Sequence, residues 1–331
     1  MEVRATAEFQ NLGLAPKELN HIPKQGETFF VSQERFEVLR GNNPYNRVFV
    51  ESVDGSKVAQ PKKKRKPKKQ NKIGIIIPNC NYEEWIEKCL GSILTQTYQN
   101  FEIVFVDDCS TDNSVEVAKR LLKKPHKVIE LKQKRLNGGA RNEAFLHLSN
   151  DVDYVWFVDS DDWLKDNLVL EKINAKLVNQ PDVLFVGMSV YKGQKESTLV
   201  APEYNNRYDA IQGWSGSCGA VIRKDLAMRQ ECLFAEGTLK EDKNHHCRIC
   251  IYMDDFDCLK ESVYIWNRTN AKSVTTSRDK TVWGTSTIRH YADTLQLYYS
   301  VKGNDAGIDR ILEQRIKLIK QELFAGGDRQ F

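Results

Sequence analysis

The chain has 331 residues, of which 40% are hydrophobic and 28% charged, with a formal net charge of +4. That is enough sequence to bury a sizeable core, and the composition excludes a disordered, fibrous or disulfide-stapled chain. No apolar run is long enough to span a bilayer and no secretory signal is legible, so the expected residence is cytoplasmic.

The eight cysteines, Cys80, Cys89, Cys109, Cys218, Cys232, Cys247, Cys250 and Cys258, follow no disulfide-framework spacing and read as reduced thiols. Charge is unevenly spread. Lys62, Lys63, Lys64, Arg65, Lys66, Lys68 and Lys69 concentrate seven positive charges in one run, leaving −3 on the rest of the chain. Ahead of that run, Thr28 to Val31 and Arg47 to Val53 read as short strands, and Ser32 to Arg40 as a Ser-capped helix that stops before Gly41. Together they suggest a small β-rich module over residues 1–58. Residues 59–72 carry two prolines, many cations and no apolar period, and read as an extended linker. Three uses stay open for this 62–69 basic run: a nuclear import signal, a tether to nucleic acid or another anionic polymer, or a solubilising spacer.

After Lys72 strands and helices alternate. Ile73 to Ile77 is a β-branched run, and Trp85, Cys89, Ile93 and Leu94 share a helical face. Phe101 to Val106 is the next strand, followed by a helix from about Asn113 and a third strand from Val128 to Leu131. Asn137-Gly138-Gly139 reads as a flexible turn into a helix carrying Arg141, and Tyr154 to Val158 is the fourth strand. This βαβαβαβ order implies an α/β fold with a mostly parallel sheet, helices on both faces and ligands at the carboxyl ends of the strands. From about Thr281 the apolar stripes at Leu295, Leu297, Tyr298, Ile308, Ile311, Leu312, Ile316, Ile319 and Leu323 read as helices. They would pack on the preceding domain, form a homo-oligomer interface or hold an acceptor.

The chemistry-bearing residues fall at those strand ends. Asp159-Ser160-Asp161-Asp162 follows the fourth strand; in extended backbone Asp159 and Asp161 share a side while Asp162 faces away. Two convergent carboxylates suit half a site for Mg²⁺ or Mn²⁺, and the plainer alternative is a solvated turn capping a helix. Asp107-Asp108-Cys109-Ser110-Thr111-Asp112 follows the second strand, where an acid accepts from a nucleobase imide or a sugar hydroxyl, or simply caps the next helix. Glu241 and Asp242 open a helical stretch, with His245 and His246 three and four residues beyond Asp242. A zinc site of His245, His246, Cys247 and Cys250 fits no closed ligand spacing. Trp214, among Gly213, Gly216 and Gly219, suggests an acceptor loop or a packing anchor.

Taken in order, Pro78-Asn79-Cys80-Asn81, Ser92 to Thr97, Asp107 to Asp112, Asn137-Gly138 with Arg141-Asn142, and Asp159-Ser160-Asp161 resemble the family 2 glycosyltransferases, nucleotide-sugar enzymes of the GT-A fold, over about residues 72–275. That resemblance implies a catalytic domain over 73–278 and a helical extension over 279–331. It puts Pro78 and the loop through Asn79 and Asn81 against the nucleoside, Asp108 on the base, often uracil, and Gly138 and Arg141 near base or phosphates. It further implies Asp159, Ser160 and Asp161 at metal and diphosphate, Arg268 and Ser273 on phosphate oxygens, and Asp242 as catalytic base. Glu241 and Trp214 are then candidate acceptor contacts, and His245 and His246 are acceptor contacts or plain packing. Where many members have Tyr this chain has Cys80, so stacking on the base falls to Tyr82 or is lost. The expected activity is metal-dependent, inverting transfer of a sugar, from a UDP-sugar in the first instance, to a hydroxyl-bearing acceptor: polymer, glycolipid, protein or modified nucleic acid. Two other readings stand beside it: a virion- or nucleic-acid-associated binding protein retaining the scaffold, and a nucleotidyltransferase. The pattern from Gly26 to Leu39 resembles small phage head and tail domains, which would make the residence a host cytoplasm.

Overall fold

The computed structural model describes residues 70–213, 216–273 and 280–325, together with Lys24 and three short strands ahead of them. Those strands, β1 (Glu2–Ala5), β2 (Thr28–Phe30) and β3 (Val50–Ser52), pair antiparallel in the order β2-β1-β3. Residues 1–64 and 65–331 are separate compact units. The helix expected from Ser32, most of the pattern likened to phage domains, and the basic run lie outside the described residues.

The second unit is built around β4 (Ile73–Asn79), in which every residue is buried. Its β-branched residues fill both faces, as a central strand requires. Chain order continues with α1 (Glu83–Leu94), β5 (Phe101–Asp107), α2 (Ser114–Leu121), β6 (Lys127–Glu130), α3 (Leu136–Phe145), β7 (Tyr154–Phe157), β8 (Trp163–Leu164) and α4 (Val169–Leu177). Next come β9 (Val183–Tyr191), β10 (Glu196–Val200), α5 (Arg207–Gln212), β11 (Ala220–Arg223), α6 (Lys224–Ala227), α7 (Glu241–Tyr252), β12 (Phe256–Asn267), α8 (Lys280–Val301) and α9 (Ala306–Ala325). Side chains alternate along β4. Ile73, Ile75 and Ile77 pack with Ile86 and Leu90 of α1 and Leu170 and Ile173 of α4, whereas Ile76 meets Ala140, Ala144 and Phe145 of α3 on the other face.

The sheet runs β6-β5-β4-β7-β11-β9-β12-β8, with β10 paired to β9. It is mixed rather than mostly parallel. β6, β5, β4 and β7 are parallel neighbours, but β11 inserts antiparallel between β7 and β9, and β8 and β10 also run against their partners. Helices cross over between the parallel neighbours β4, β5, β6 and β7, while residues 192–195 are too short for a crossover and fold β10 back on β9 as a hairpin. Gly187 of β9 sits where β12 bulges, and a Cβ there would lie 2.4 Å from Glu261 O. Its missing side chain admits the bulged backbone.

Leu297, Tyr298 and Val301 of α8 and Ile308 and Leu312 of α9 share one core with Cys247, Ile249 and Cys250 of α7. Among the described residues all eight cysteines are free thiols, and no helix is long and apolar enough to cross a membrane.

Candidate active site

β4, β5 and β7 run side by side, so the loops leaving Asn79, Asp107 and Phe157 share one edge of the sheet. Polar side chains lock those loops. Asp107 Oδ1 accepts from Asn79 Nδ2 at 2.9 Å and from Ser110 Oγ at 2.6 Å, and Oδ2 accepts from the Ser110 N–H at 2.8 Å. Asn81 Oδ1 accepts from the Thr111 N–H at 2.7 Å. Asp108 receives the N–H groups of Arg135 and Leu136, at 2.6 and 2.8 Å, one on each carboxylate oxygen. Asn81, Cys109 and Leu136 all adopt left-handed backbone, with φ of 61°, 61° and 60°. Each such residue costs on the order of 1–2 kcal/mol, and these bonds hold it in place. Between the loops opens a cavity of about 370 Å³ whose lining includes Cys80, Asn81, Tyr82, Asp108, Lys134, Leu239 and Lys272.

Beside this cavity one cation faces three carboxylates. Arg141 of α3 is buried to 1% exposure; its Nη1 donates to Glu241 Oε1 at 2.8 Å and to Asp242 Oδ1 at 3.2 Å, and its Nη2 to Asp159 Oδ1 at 2.7 Å. Phe234 and Phe157 pack near the guanidinium, their ring centroids 5.2 and 5.9 Å from its carbon. Burial opposes the charge on Arg141, but Asp159, Asp242 and Glu241 together raise its proton affinity. Burial and the neighbouring Asp242 push Glu241 up to about 8, although Arg141 pulls it down. Burial likewise raises Asp242, against the pull of Arg141. Ser217 donates its hydroxyl to Asp242 Oδ1. The Asp242 side chain is 38% exposed and both of these donors, Arg141 Nη1 and Ser217 Oγ, sit on Oδ1, so the second oxygen keeps capacity for a proton.

The Glu241 shift carries a stability consequence. A carboxyl whose folded pKa lies above its unfolded value stabilises the fold below the unfolded value, near 4.5, and loses that contribution as pH rises toward 8. Glu241→Gln, which mimics the protonated form, is therefore expected to match the native protein at pH 4–5 and exceed it at pH 9. One pKa unit is about 1.4 kcal/mol, so even half of this rise gives a gain on the order of 2 kcal/mol, read by urea unfolding at both pH values.

The Asp159–Asp162 segment does not continue as extended backbone. It turns, the Asp162 N–H donating to Asp159 O at 3.0 Å, which sends Asp159 toward Arg141 and Asp161 toward Asn270, whose Nδ2 donates to Asp161 Oδ2 at 2.7 Å. Asp162 is tied inward by the Tyr264 hydroxyl at 2.6 Å and the Asn267 N–H at 2.7 Å. Burial and the charge of Asp159 push Asp161 up to about 6. Ser160 Oγ is buried without a partner.

The other residues singled out in the sequence lie on the elements around this cluster. Gly138 and Gly139 belong to the first turn of α3; a Cβ on Gly138 would lie 2.5 Å from Ala235 O, so this glycine serves close packing beneath the site. Arg141 is the common partner of Asp159, Glu241 and Asp242. His245 stacks on Phe234, with ring centroids 3.7 Å apart, and His246 bonds Ala210 O at 2.7 Å; both are buried in the core, beyond an acceptor's reach. Burial lowers the proton affinity of both, His246 to about 4. Asn79 and Pro78 are buried at the end of β4. The Arg268 guanidinium lies 4.6 Å from the Trp266 ring centroid, and the Ser273 N–H donates to Asn270 O at 3.3 Å. Trp214 lies outside the described residues. Ser217, Tyr264, Asn267 and Asn270 were missed in the sequence; their one legible trace is the pair of amides three apart after a strand.

Parallel strands ending in a carboxylate-rich cleft, with an antiparallel insertion beyond it, define a GT-A-like α/β fold. The same architecture occurs in residues 1–349 of TarS from S. aureus, solved in complex with UDP-GlcNAc, at 20% identity and a TM-score of 0.62 over 77% of this chain and 73% of that one. Residues 74–236 match the model of glycosyl transferase family 2, and the chain thus carries a family 2 glycosyltransferase domain. Its relatives include glycosyltransferase GlyA of Streptococcus pneumoniae, 41% identical over 118 residues, which are 35% of this chain and 16% of GlyA. The poly(ribitol-phosphate) beta-glucosyltransferase of Bacillus spizizenii is 29% identical over 177 residues, 52% of this chain and 26% of that protein. The chain thus spans about a quarter or less of the length of these two relatives.

Proposed function

We propose that this domain transfers a sugar from a nucleotide-sugar, a UDP-sugar in the first instance, to a hydroxyl acceptor by single displacement with inversion. The observation that carries the reading is the Asp242 carboxylate: partly exposed, raised in proton affinity, and fixed by Arg141 and Ser217 with Asp159 on the same guanidinium. Asp242 takes the acceptor's hydroxyl proton as that oxygen bonds to the anomeric carbon, and the bond from that carbon to the diphosphate oxygen breaks. Glu241, buried and bonded to the same Arg141 Nη1, completes the carboxylate pair behind Asp242. The cavity lined by Tyr82, Asp108 and Lys134 takes the nucleoside.

Asp159 and Asp161 fit a hard divalent cation. They are oxygen donors, burial and then the charge of Asp159 raise Asp161, and the buried hydroxyl of the intervening Ser160 lacks a partner. Among the described residues no three His, Cys, Asp or Glu side chains converge on a metal-binding point, so water and the donor's diphosphate would complete the shell. Such a Mg²⁺ or Mn²⁺ ion would offset charge on the departing diphosphate. The names of relatives that act on poly(ribitol-phosphate) favour a polyol-phosphate polymer as acceptor, and an anionic polymer suits the 62–69 basic run.

The test is nucleotide release from a panel of nucleotide-sugars with Mn²⁺ or Mg²⁺. Release of UDP from one sugar is expected, and Asp159→Asn is expected to lose it. Release of free sugar phosphate in place of UDP would point to nucleotidyl transfer. Absence of both release and metal-dependent nucleotide binding would leave only a scaffold.

A further inference from the structure

Residues 234–240 connect the two halves of the site: Phe234 packs by Arg141, Leu239 lines the cavity, and Glu241 and Asp242 follow directly. On one side the segment is held by α3. Asn142 exchanges two hydrogen bonds with the Phe234 backbone, both 3.0 Å, and Arg135 pairs with Glu236 at 2.6 Å. On its other side it is held by the first turns of α8. Thr238 Oγ1 donates to Ser286 O at 3.0 Å, the Leu239 N–H donates to Ser286 Oγ at 3.2 Å, and Arg289 Nη1 donates to Gly237 O. Gly237 has φ of +71°, and a Cβ there would lie 2.2 Å from Arg289 Nη1, so the loop is shaped to the arginine that grips it. One turn further along, α8 also holds α7: Asn244 Nδ2 donates to Asp293 Oδ2 at 2.7 Å, and Arg248 forks onto Asp293 at 2.6 and 2.9 Å.

We propose that Ser286 and Arg289 are positioning residues for sugar transfer: α8, which lies outside the segment matched to the family, sets where Asp242 and the Leu239 wall stand relative to the donor. The proposal rests on the transferase reading above. Ser286 is buried and spends its hydroxyl on a backbone N–H of the loop, whereas Arg289 is exposed and makes its bond to a loop carbonyl from the surface. An exposed arginine contributes little to the core, so its removal acts on loop geometry rather than on folding. A base displaced by a fraction of an ångström to 1 Å loses rate far more than binding, up to about a hundredfold.

The experiment compares Arg289→Ala, Arg289→Lys, Ser286→Ala and Gly237→Ala in the full chain. Steady-state transfer, hydrogen exchange over residues 234–242 and urea unfolding are measured for each. Expected for Arg289→Ala is a kcat about tenfold lower or more with donor KM within twofold, faster exchange in that segment, and an unchanged unfolding midpoint. Arg289→Lys, which still donates to the Gly237 carbonyl, is expected to recover most of the rate. Gly237→Ala, which perturbs the same contact from the loop side, is expected to reproduce the defect. Unchanged exchange in both Arg289→Ala and Gly237→Ala would overturn the positioning role, as would an equal fall of rate and unfolding midpoint, which marks a purely structural part. Hydrogen exchange needs no substrate, so failure of the transferase reading, seen as no nucleotide release by the native protein, is distinguishable from failure of this one.

Discussion

Asp242→Asn is expected to lower sugar transfer by about 10²–10⁴-fold while leaving donor binding unchanged, the range a positioned general base contributes. Asparagine keeps the shape and accepts from Arg141 Nη1 and Ser217 through one oxygen, so the cluster around Arg141 survives. What it lacks is an acceptor for the proton released as the acceptor oxygen attacks. The change also removes one of three carboxylates crowding a single guanidinium, so Asp242→Asn is expected to be at least as stable as the native protein at pH 8. Transfer by this variant at native rate would remove Asp242 from the role and leave Asp159 as the remaining exposed carboxylate on Arg141. Measurement of kcat and donor Kd on one preparation separates the base from a donor contact: loss of both would place Asp242 against the donor.

How much of this was legible in the sequence follows from the kind of signal each part leaves. β4, β5 and β7 are β-branched and aromatic runs buried on both faces, and such runs announce themselves. β8 has two residues and β11 four; neither is long enough to show alternation, and the reversal of direction at β11 was invisible for that reason. α3 begins with adjacent glycines, which by propensity alone read as a turn. Packing overrides propensity there, because only a glycine at position 138 lets the helix approach Ala235 O. α7 carries the polar run Glu-Asp-Lys-Asn-His-His-Cys-Arg, yet Asn244, His245, His246 and Cys247 are all buried: Asn244 bonds Asp293 of α8, His245 stacks on Phe234 and His246 bonds Ala210 of α5, partners that no local pattern announces. The Asp residues at the strand ends stood out as motifs, but their common partner did not: Arg141 lies 18 residues from Asp159 and 101 from Asp242, and no local pattern joins them.

That arginine is where the largest stability effect falls. Arg141→Met removes the cation and leaves Asp159, Glu241 and Asp242 facing one another in a mostly buried space, with an expected loss of about 3–5 kcal/mol at pH 8 by urea unfolding. Arg141→Lys is expected to recover only part of it, since a single ammonium cannot reproduce the fork in which Nη1 serves Glu241 and Asp242 while Nη2 serves Asp159. The loss depends on pH with a definite sign. Without Arg141 the carboxyls lose the charge that pulls their proton affinities down, so they bind protons more tightly in the fold than when unfolded. The deficit therefore shrinks as pH falls from 8 toward 5. A deficit equal at pH 5 and pH 8 would mean that the contacts with Phe234 and Phe157, not the charge, were what Arg141 supplied. The double variant Arg141→Met, Glu241→Leu separates the terms further. Removing the most buried carboxylate together with the cation is expected to restore at least half of the lost stability while transfer stays below the native rate, because Asp242 keeps the Ser217 hydroxyl but loses Arg141, one of the two donors that fix its direction.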